Sequence, residues 1–236
     1  MMHVLTLSLD TSSRAGSIAI LREATVLGVV STFGDEAYSS RIFRQLEFLL
    51  AELNLNLGQF DLFAVAAGPG SFTGLRVGLA AVKGWSEVYR KPVAGISALE
   101  AVAIQDTSGA GTVAPVLDAR RGQVYAGFYR RADQELALDG DECVMTPVEF
   151  LDEVGERNAA LTVVTPESEI RSTLLKSVAS NVSLGAVSVH RVSGVLAPSI
   201  GHLAYARALR GKLSDALTLD ANYVRRTDAE VHLKGS

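Results

Sequence analysis

Residues 66–85 read AAGPGSFTGLRVGLAAVKGW, and this stretch decides how the first half of the chain is expected to fold. An apolar run leads into a turn rich in glycine and proline, after which Leu75, Leu79 and Val82 recur at helical spacing. The pattern predicts a strand, a tight turn and a long helix. Each glycine inside that helix costs about 1 kcal/mol relative to alanine. A packing reason for the glycines is therefore expected.

One face of this helix lacks large side chains, because Gly74, Gly78 and Ala81 are spaced by four and three residues. Such a face lets another helix approach closely, and the dispersion energy gained there offsets the loss of helix propensity. The preceding predicted helix, EAYSSRIFRQLEFLLAEL (36–53), is apolar around more than half of its circumference and needs a second element to cover it.

We therefore predict an oligomer interface that uses both helices. Its predicted members are Ile42, Leu46, Leu49, Leu53, Gly74, Gly78, Ala81 and Val82. The alternative is that the two helices only pack together within one domain. The interface hypothesis predicts that Gly78→Leu weakens partner binding and leaves the monomer folded.

The turn GPGSFTG (68–74) stands between a strand and a helix, which is where phosphate-binding loops occur. A P-loop requires Lys and then Ser or Thr after its last glycine, but Leu75 and Arg76 follow Gly74. The dinucleotide pattern GxGxxG fails because the third glycine stands one position late. Ser71 also lacks the flanking glycines of a nucleophile elbow. The turn is therefore predicted to be structural, with Ser71 or Thr73 as the helix N-cap.

The order of predicted elements in the first half is βββαβαβα, which indicates a mixed sheet covered by helices. After the small and polar segment 105–112, the stretch VAPVLDARRGQVYAGFYR (113–130) resembles LTLSLDTSSRAGSIAILR (5–22). This repeat predicts a duplicated α/β fold with domains 1–105 and 106–236. The second domain is degenerate, and its last helical segment is able to pack back on the first.

Asp10 and Asp118 occupy matching places in the repeat, each at the end of a predicted strand. In two equivalent lobes both carboxylates would point into the cleft between them. The alternative is that any strand-turn-strand favours Asp and Gly at its turn.

The turn after the first strand is a candidate phosphate site, because Asp10, Thr11 and Ser12 resemble the first phosphate loop of the actin, Hsp70 and sugar-kinase superfold. Working members of that superfold add a second phosphate loop and a glycine-rich adenosine loop. Here Asp118 is followed by Ala119, Arg120 and Arg121, which offer no run of hydroxyls, and no adenosine loop is evident after residue 190. Nucleotide binding at Asp10, Thr11, Ser12, Asp118 and Arg120 and a purely structural turn both remain open.

Composition limits the classes of partner. The net charge is −4, which disfavours a protein that binds nucleic acid alone, so any RNA contact is expected to be shared with a partner.

The single cysteine, Cys143, is predicted to be a buried structural thiol in a reducing compartment. We see no signal peptide and no membrane segment and expect a cytoplasmic protein without membrane contact. The four histidines form neither HxxxH nor HExxH, so no metal site is predicted.

Five motifs together resemble the TsaB (YeaZ) family in the family's own order. They are LSLDTSS (7–13), GPGSFTGLRVGLAAVKG (68–84), GISALEAVA (95–103), LDARRGQVYAGFY (117–129) and NYVRR (222–226). The resemblance implies an actin-like (ASKHA) two-lobed fold and a role in forming threonylcarbamoyladenosine next to the anticodon of tRNA. It implies an accessory subunit that is not itself an enzyme.

The resemblance also implies a set of partners. In this family the protein pairs with TsaD, which carries the metal and nucleotide site, and with the ATPase TsaE, while TsaC supplies threonylcarbamoyl-AMP. A homodimer forms through the same two helices, and tRNA is met only within the complex. TsaD carries HxxxH where Ala98 and Val102 stand here, so the metallopeptidase hypothesis is rejected. The alternative function is an actin-like phosphotransferase or nucleotide hydrolase that uses Asp10.

Overall fold

The computed structural model describes residues 3–34, 38–109, 111–132, 135–157, 160–181, 184, 187–222 and 224. The chain divides into two compact units. Met1–Ala101 and Gly194–Asn222 form the first unit, and Val102–Ser193 belongs to the second. The division falls near the expected boundary at residue 105, but residues 194–222 return to the first unit.

The described residues form twelve strands and six α-helices. In chain order they are β1 (Leu5–Asp10), β2 (Ser17–Arg22), β3 (Thr25–Ser31), α1 (Tyr38–Glu52), β4 (Leu62–Gly68), α2 (Phe72–Tyr89), β5 (Val93–Ser97), α3 (Ala98–Ala103), β6 (Thr112–Arg120), β7 (Gln123–Ala126), β8 (Tyr129–Ala132), β9 (Glu135–Leu138), β10 (Cys143–Met145), α4 (Pro147–Glu156), β11 (Leu161–Thr165), α5 (Ser168–Ser180), β12 (Val187–Arg191) and α6 (Ala197–Leu209). A short 3-10 helix, Leu57–Gln59, lies between α1 and β4.

The sheet of the first unit has the strand order β3-β2-β1-β4-β5. Strands β1, β2 and β3 are antiparallel neighbours, whereas β1, β4 and β5 run parallel. The two parallel steps require crossover connections, which α1 and α2 supply. The predicted strand, turn and helix around residues 66–85 are therefore confirmed as β4 and α2.

The sheet of the second unit repeats this topology in the order β10-β7-β6-β11-β12. Strand β6 pairs antiparallel with β7, and β7 with β10, whereas β6, β11 and β12 are parallel. A hairpin, β8 and β9, is added beside β6. The central strands β1 and β6 correspond, so the duplication inferred from two short sequences extends over both whole sheets.

Strand β1 is buried on both faces, and its alternating side chains serve two different layers. Leu5, Leu7 and Leu9 join the apolar core beneath α1 and α2. On the opposite face, Ser8 Oγ donates to the backbone oxygen of Ala197 at 2.7 Å, where α6 begins. The first sheet thus lies between the α1 and α2 layer and α6.

Helix α6 begins at Ala197, with Pro198 in its first turn, a position where the missing N–H has no intrahelical partner to lose. The residue before it, Leu196, makes no capping side-chain hydrogen bond. The hydroxyl of Ser199 therefore does not cap this helix. Ser199 lies within the helix and is buried.

The core of the second unit is built around Phe128 and Phe150, whose rings stack at a centroid distance of 5.9 Å. The guanidinium of Arg157 lies 3.7 Å from the Phe128 ring centroid. The prediction that Cys143 is buried is wrong, because this residue lies exposed at the start of the three-residue strand β10. A short strand that pairs with β7 buries too little of its side chains to cover a thiol.

Candidate functional site

The turn after β1 is buried, since Asp10, Thr11 and Ser12 are only 1%, 1% and 4% exposed. Asp10 Oδ1 accepts hydrogen bonds from the backbone N–H and the hydroxyl of Ser12 at 2.8 and 2.6 Å. Asp10 Oδ2 and Thr11 Oγ1 are also buried, and neither has a hydrogen-bond partner among the described residues. The two hydrogen bonds between Asp10 and Ser12 therefore hold the shape of the turn.

The carboxyl of Asp10 is perturbed by this environment. Burial raises its pKa to about 6, and the two hydrogen bonds from Ser12 oppose that rise. The largest cause is desolvation, which disfavours the charged form. The carboxyl therefore titrates close to neutral pH inside the first unit.

A second turn, Gly68–Ser71, is tied to the first and opens α2. The backbone N–H of Ser71 donates to the backbone oxygen of Ser12 at 2.7 Å. Ser71 is the N-cap of α2, and its hydroxyl accepts from the backbone N–H of Gly74 at 3.3 Å. The predicted structural turn is confirmed, with Ser71 rather than Thr73 as the cap.

The glycines of α2 explain how closely the two turns approach. A Cβ atom on Gly70 would stand 2.5 Å from the backbone oxygen of Ser12. One on Gly74 would overlap the backbone oxygen of Thr11, and one on Gly78 would overlap Thr11 Oγ1 and meet Val65 at 3.1 Å. The glycines let the first two turns of α2 rest directly on the end of β1. Their interpretation as an approach surface for a second helix is therefore wrong.

Most of the predicted interface residues are also internal. Ile42, Leu46, Leu49 and Val82 are at most 4% exposed and belong to the core of the first unit. Leu53 and Ala81 are only half-buried. The i, i+4 stripe of α1 faces the core of the first unit, and only the residues outside that stripe are surplus apolar surface. Buried side chains cannot contact a partner. An interface on these two helices would therefore be formed by other residues.

The surplus apolar surface lies on the outer sides of the same two helices. On α1, Phe43 and Phe48 are 54% and 55% exposed, and on α2, Val88 is 72% exposed. Ala80 and Gly84 are exposed one helical turn apart, and a Cβ on Gly84 would meet nothing within 4 Å. In the sequence, Phe43 and Phe48 stand outside the i, i+4 stripe of α1, and this is the signal that indicates the exposed surface.

The first turn does not fit a bound phosphate. Its hydroxyls are buried beneath α2, and that of Ser12 is committed to Asp10. The N–H of Ser71, at the start of α2, is committed to Ser12. A phosphate at a helix start is held by backbone N–H groups that are not already committed, and the N–H groups of Ser71 and Gly74 are both engaged within the protein. The nucleotide reading of Asp10, Thr11 and Ser12 therefore has no support in this geometry.

The matching turn of the second unit is open. Asp118 Oδ1 accepts from the backbone N–H of Arg120 at 2.7 Å, and Asp118 Oδ2 lies 3.3 Å from Arg120 Nη1. Both side chains are exposed, at 38% and 65%. Asp118 and Arg120 thus hold each other, and the carboxylate stabilises the turn.

Glu167 is a residue that the sequence did not single out. It is half-buried between β11 and α5, and its Oε2 accepts from Thr165 Oγ1 at 2.8 Å. Burial raises the pKa of Glu167 above its ordinary value. Hydrogen bonds from Thr165 and from the backbone of Asp118 oppose this rise without cancelling it. A carboxylate at the start of α5 disfavours a phosphate at the N-terminus of this helix, which follows the parallel strand β11.

The described residues contain no group of three His, Cys, Asp or Glu side chains able to hold a metal ion. Ala98 and Val102, which stand at the places of the HxxxH residues of TsaD, are fully buried. Among the described helices, none is both long and apolar enough to cross a membrane.

Comparison with known proteins finds relatives named TsaD and TsaB. The family model described as TsaD, tRNA N6-adenosine threonylcarbamoyltransferase, matches residues 17–188. The tRNA threonylcarbamoyladenosine biosynthesis protein TsaB of Bacillus subtilis is 36% identical over 124 residues, which cover 52% of this chain and 54% of that protein. The chain thus spans about half the length of the curated relatives that it matches.

Solved structures agree in fold. YeaZ from Pseudomonas aeruginosa is similar with a TM-score of 0.70 and 26% identity, covering 93% of this chain and 99% of that one. A ROK hexokinase from Thermus thermophilus has a TM-score of 0.50 and 11% identity, covering 89% of this chain and all of that one (100%). The second likeness shows the fold alone and confirms the predicted actin-like α/β class.

Proposed function

The chain belongs to the TsaD family, tRNA N6-adenosine threonylcarbamoyltransferase, and to its TsaB (YeaZ) members, and we propose that it is a non-catalytic partner that activates TsaD. The reaction is threonylcarbamoyl transfer to the adenosine next to the anticodon of tRNA. The observation that carries the proposal is the exposed apolar surface of α1 and α2 in a chain with TsaB relatives.

The proposed docking surface consists of Phe43 and Phe48 on α1 and Ala80, Gly84 and Val88 on α2. The aromatic and aliphatic side chains supply apolar area, and the small residues let a partner helix come close. Such a surface is typical of a protein that binds another protein. We propose that TsaD and a second copy of this chain compete for it.

Three features support a non-catalytic role. Asp10 is buried under α2, Asp118 is engaged by Arg120, and the places of the HxxxH residues hold Ala98 and Val102. No described group combines an accessible nucleophile with a base at hydrogen-bond distance in either turn. ATP and metal are therefore assigned to the partner proteins, and TsaE is proposed as the third subunit. We expect the chain to contact tRNA only within the complex, and we expect the complex to act in the cytoplasm.

Size exclusion with light scattering tests the proposal directly. The protein is measured alone and then mixed with TsaD of the same organism. We expect a homodimer that gives way to a heterodimer at equal subunit ratio. A chain that stays monomeric and leaves TsaD unbound overturns the proposal, and nucleotide titration of the isolated chain then becomes the next measurement.

A further inference from the structure

The loop between β3 and α1 presents an aromatic side chain to solvent. Phe33 stands two residues after the end of β3 and is 77% exposed. Of the aromatic side chains that the structure describes, it is the most exposed, since Phe48 and Phe43 follow at 55% and 54%. A single exposed phenylalanine by itself needs no function. Phe33 is distinguished by the way in which the backbone on both sides of it is held.

Thr32, the residue before Phe33, is bound from two directions. Its backbone N–H donates to the backbone oxygen of Gly16 at 3.3 Å. From α1, its hydroxyl oxygen accepts from Gln45 Nε2 at 2.6 Å and from Arg41 Nη1 at 3.1 Å. Arg41 Nη1 also lies 3.4 Å from the backbone oxygen of Thr32 and donates to it. The position of Thr32 is therefore fixed by its sheet and by α1 together.

Gly34, the residue after Phe33, is held by the same arginine. Arg41 Nη2 donates to the backbone oxygen of Gly34 at 3.5 Å. Arg41 is only 6% exposed, so a buried guanidinium holds the loop from within while Phe33 points outward. The backbone that carries Phe33 is thus ordered before any partner binds. A side chain on ordered backbone loses less conformational freedom when it enters an interface.

The loop adjoins the docking surface proposed for α1. Arg41, Gln45 and Phe48 are spaced by four and three residues and therefore lie on one side of this helix. Since Arg41 and Gln45 bind the loop, Phe33 is placed beside the side of α1 to which Phe48 belongs. Phe48 is a member of the docking surface. Phe33 therefore continues the surface that is proposed to bind TsaD.

We propose that Phe33 is an anchor residue of the contact with TsaD, held in place by Thr32, Arg41 and Gln45, an inference that rests on the proposed function. An anchor inserts its ring into an apolar recess of the partner and buries a large area there. The ordered loop lowers the entropy cost of this step. The part of TsaD that meets the loop is accordingly expected to be an apolar recess wide enough for a phenyl ring.

The test measures TsaD affinity by isothermal titration for Phe33→Ala, with Leu209→Ala as the matched control. Leu209 is 69% exposed at the end of α6, which lies across the first sheet from α1. Each variant removes one exposed apolar side chain from the first unit, so neither should change the thermal midpoint. Phe33→Ala should weaken TsaD affinity about tenfold, and Leu209→Ala should leave it unchanged.

Thr32→Val tests how Phe33 is held. Valine keeps the shape of threonine but lacks the hydroxyl that accepts from Arg41 and Gln45. We expect TsaD affinity to fall about threefold when Phe33 is present and not to fall further in the Phe33→Ala chain, because the order of the loop acts only through Phe33. Equal losses in the two backgrounds, or no loss in either, overturn the positioning role.

The remaining outcomes separate this inference from the proposed function. Wild-type TsaD affinity for Phe33→Ala, together with weakened binding by Gly84→Leu on α2, overturns the anchor alone. Weakened self-association of Phe33→Ala with unchanged TsaD affinity assigns Phe33 to a second copy of the chain and also overturns it. A wild-type chain that does not bind TsaD overturns the proposed function and this inference together.

Discussion

The backbone N–H of Ser71 donates to the backbone oxygen of Ser12 at 2.7 Å, which joins the turn before α2 to the turn after β1. Residues almost 60 positions apart thereby become one buried structure. In the actin-like fold this region is where a phosphate loop was expected, but here helix and turn are in direct contact. The glycines of α2 make the contact possible, and several measurable consequences follow.

Substitution of the inner glycines is expected to destabilise the first unit. Gly74→Ala places a Cβ on the backbone oxygen of Thr11, which cannot move without shifting β1. We expect Gly74→Ala and Gly78→Leu each to lower the free energy of unfolding by about 2 kcal/mol or more. Denaturant unfolding of the isolated chain measures this loss.

The control for these variants is Gly84→Ala on the outer side of α2. A Cβ there meets nothing within 4 Å, so alanine should stabilise the helix by roughly 0.5–1 kcal/mol. If Gly78→Leu proved as stable as the wild type, the packing of α2 on Thr11 would be wrong. The earlier expectation that Gly78→Leu leaves a folded monomer would then return.

A pH dependence is expected from Asp10. Its folded-state pKa is raised to about 6, above the ordinary 3.8, so the folded state holds the proton more tightly than the unfolded chain. Stability is therefore highest below the unfolded pKa and falls as the pH rises through the folded pKa. The total fall between about pH 4 and pH 6 is expected to be about 3 kcal/mol at most.

Asp10→Asn isolates this effect, because an amide has no proton to lose. Its oxygen can still accept both hydrogen bonds from Ser12, so the turn is expected to persist. Free energies of unfolding are measured from pH 4 to pH 7. The wild type should lose stability over this range relative to the variant. Asp215→Asn is the control: the pKa of Asp215 is lowered by hydrogen bonds from Thr218, so its contribution changes below that range. Parallel curves for wild type and Asp10→Asn would contradict the assignment.

Sequence patterns predicted much of this fold because apolar periodicity reports burial within a single element. The β4 and α2 elements and the repeat of β1 and β2 in β6 and β7 emerged in that way. Periodicity does not report which element covers a face. The glycine face of α2 therefore looked like a surface for another helix, although Thr11 lies against it.

Contacts between distant parts of the chain could not be predicted from the sequence either. Ser8 and Ala197 are hydrogen-bonded 189 positions apart, and this contact places α6 on the first sheet rather than the second. The strand-turn-strand of β6 and β7 was predicted, but the positive φ of Arg120 and Arg121 at its turn was not, because such backbone favours Asn and Gly rather than arginine. The elements were predictable, but their partners required the structure.

A buried ion pair is expected to stabilise the second unit. The side chain of Asp106 is fully buried, lies 3.3 Å from Arg131 Nη2 and accepts from the backbone and hydroxyl of Ser108 at 3.1 and 2.9 Å. Asp106→Ala leaves the guanidinium without its carboxylate and should lower the free energy of unfolding by about 3 kcal/mol. Asp139→Ala removes an exposed partner of Arg130 and Arg157 and should have a much smaller effect. Equal losses for the two variants would show that burial of Asp106 adds nothing.

The outer side of α2 provides the last prediction, which concerns partner binding. Gly84→Leu adds a large side chain where the structure leaves open space, so the isolated chain should stay folded. The added bulk should keep a partner helix away and weaken TsaD binding at least about tenfold. Ser172→Leu, an equally exposed helix position on α5 of the second unit, is the matched control. Isothermal titration with TsaD measures both. Wild-type affinity for Gly84→Leu would place the TsaD contact elsewhere on the chain.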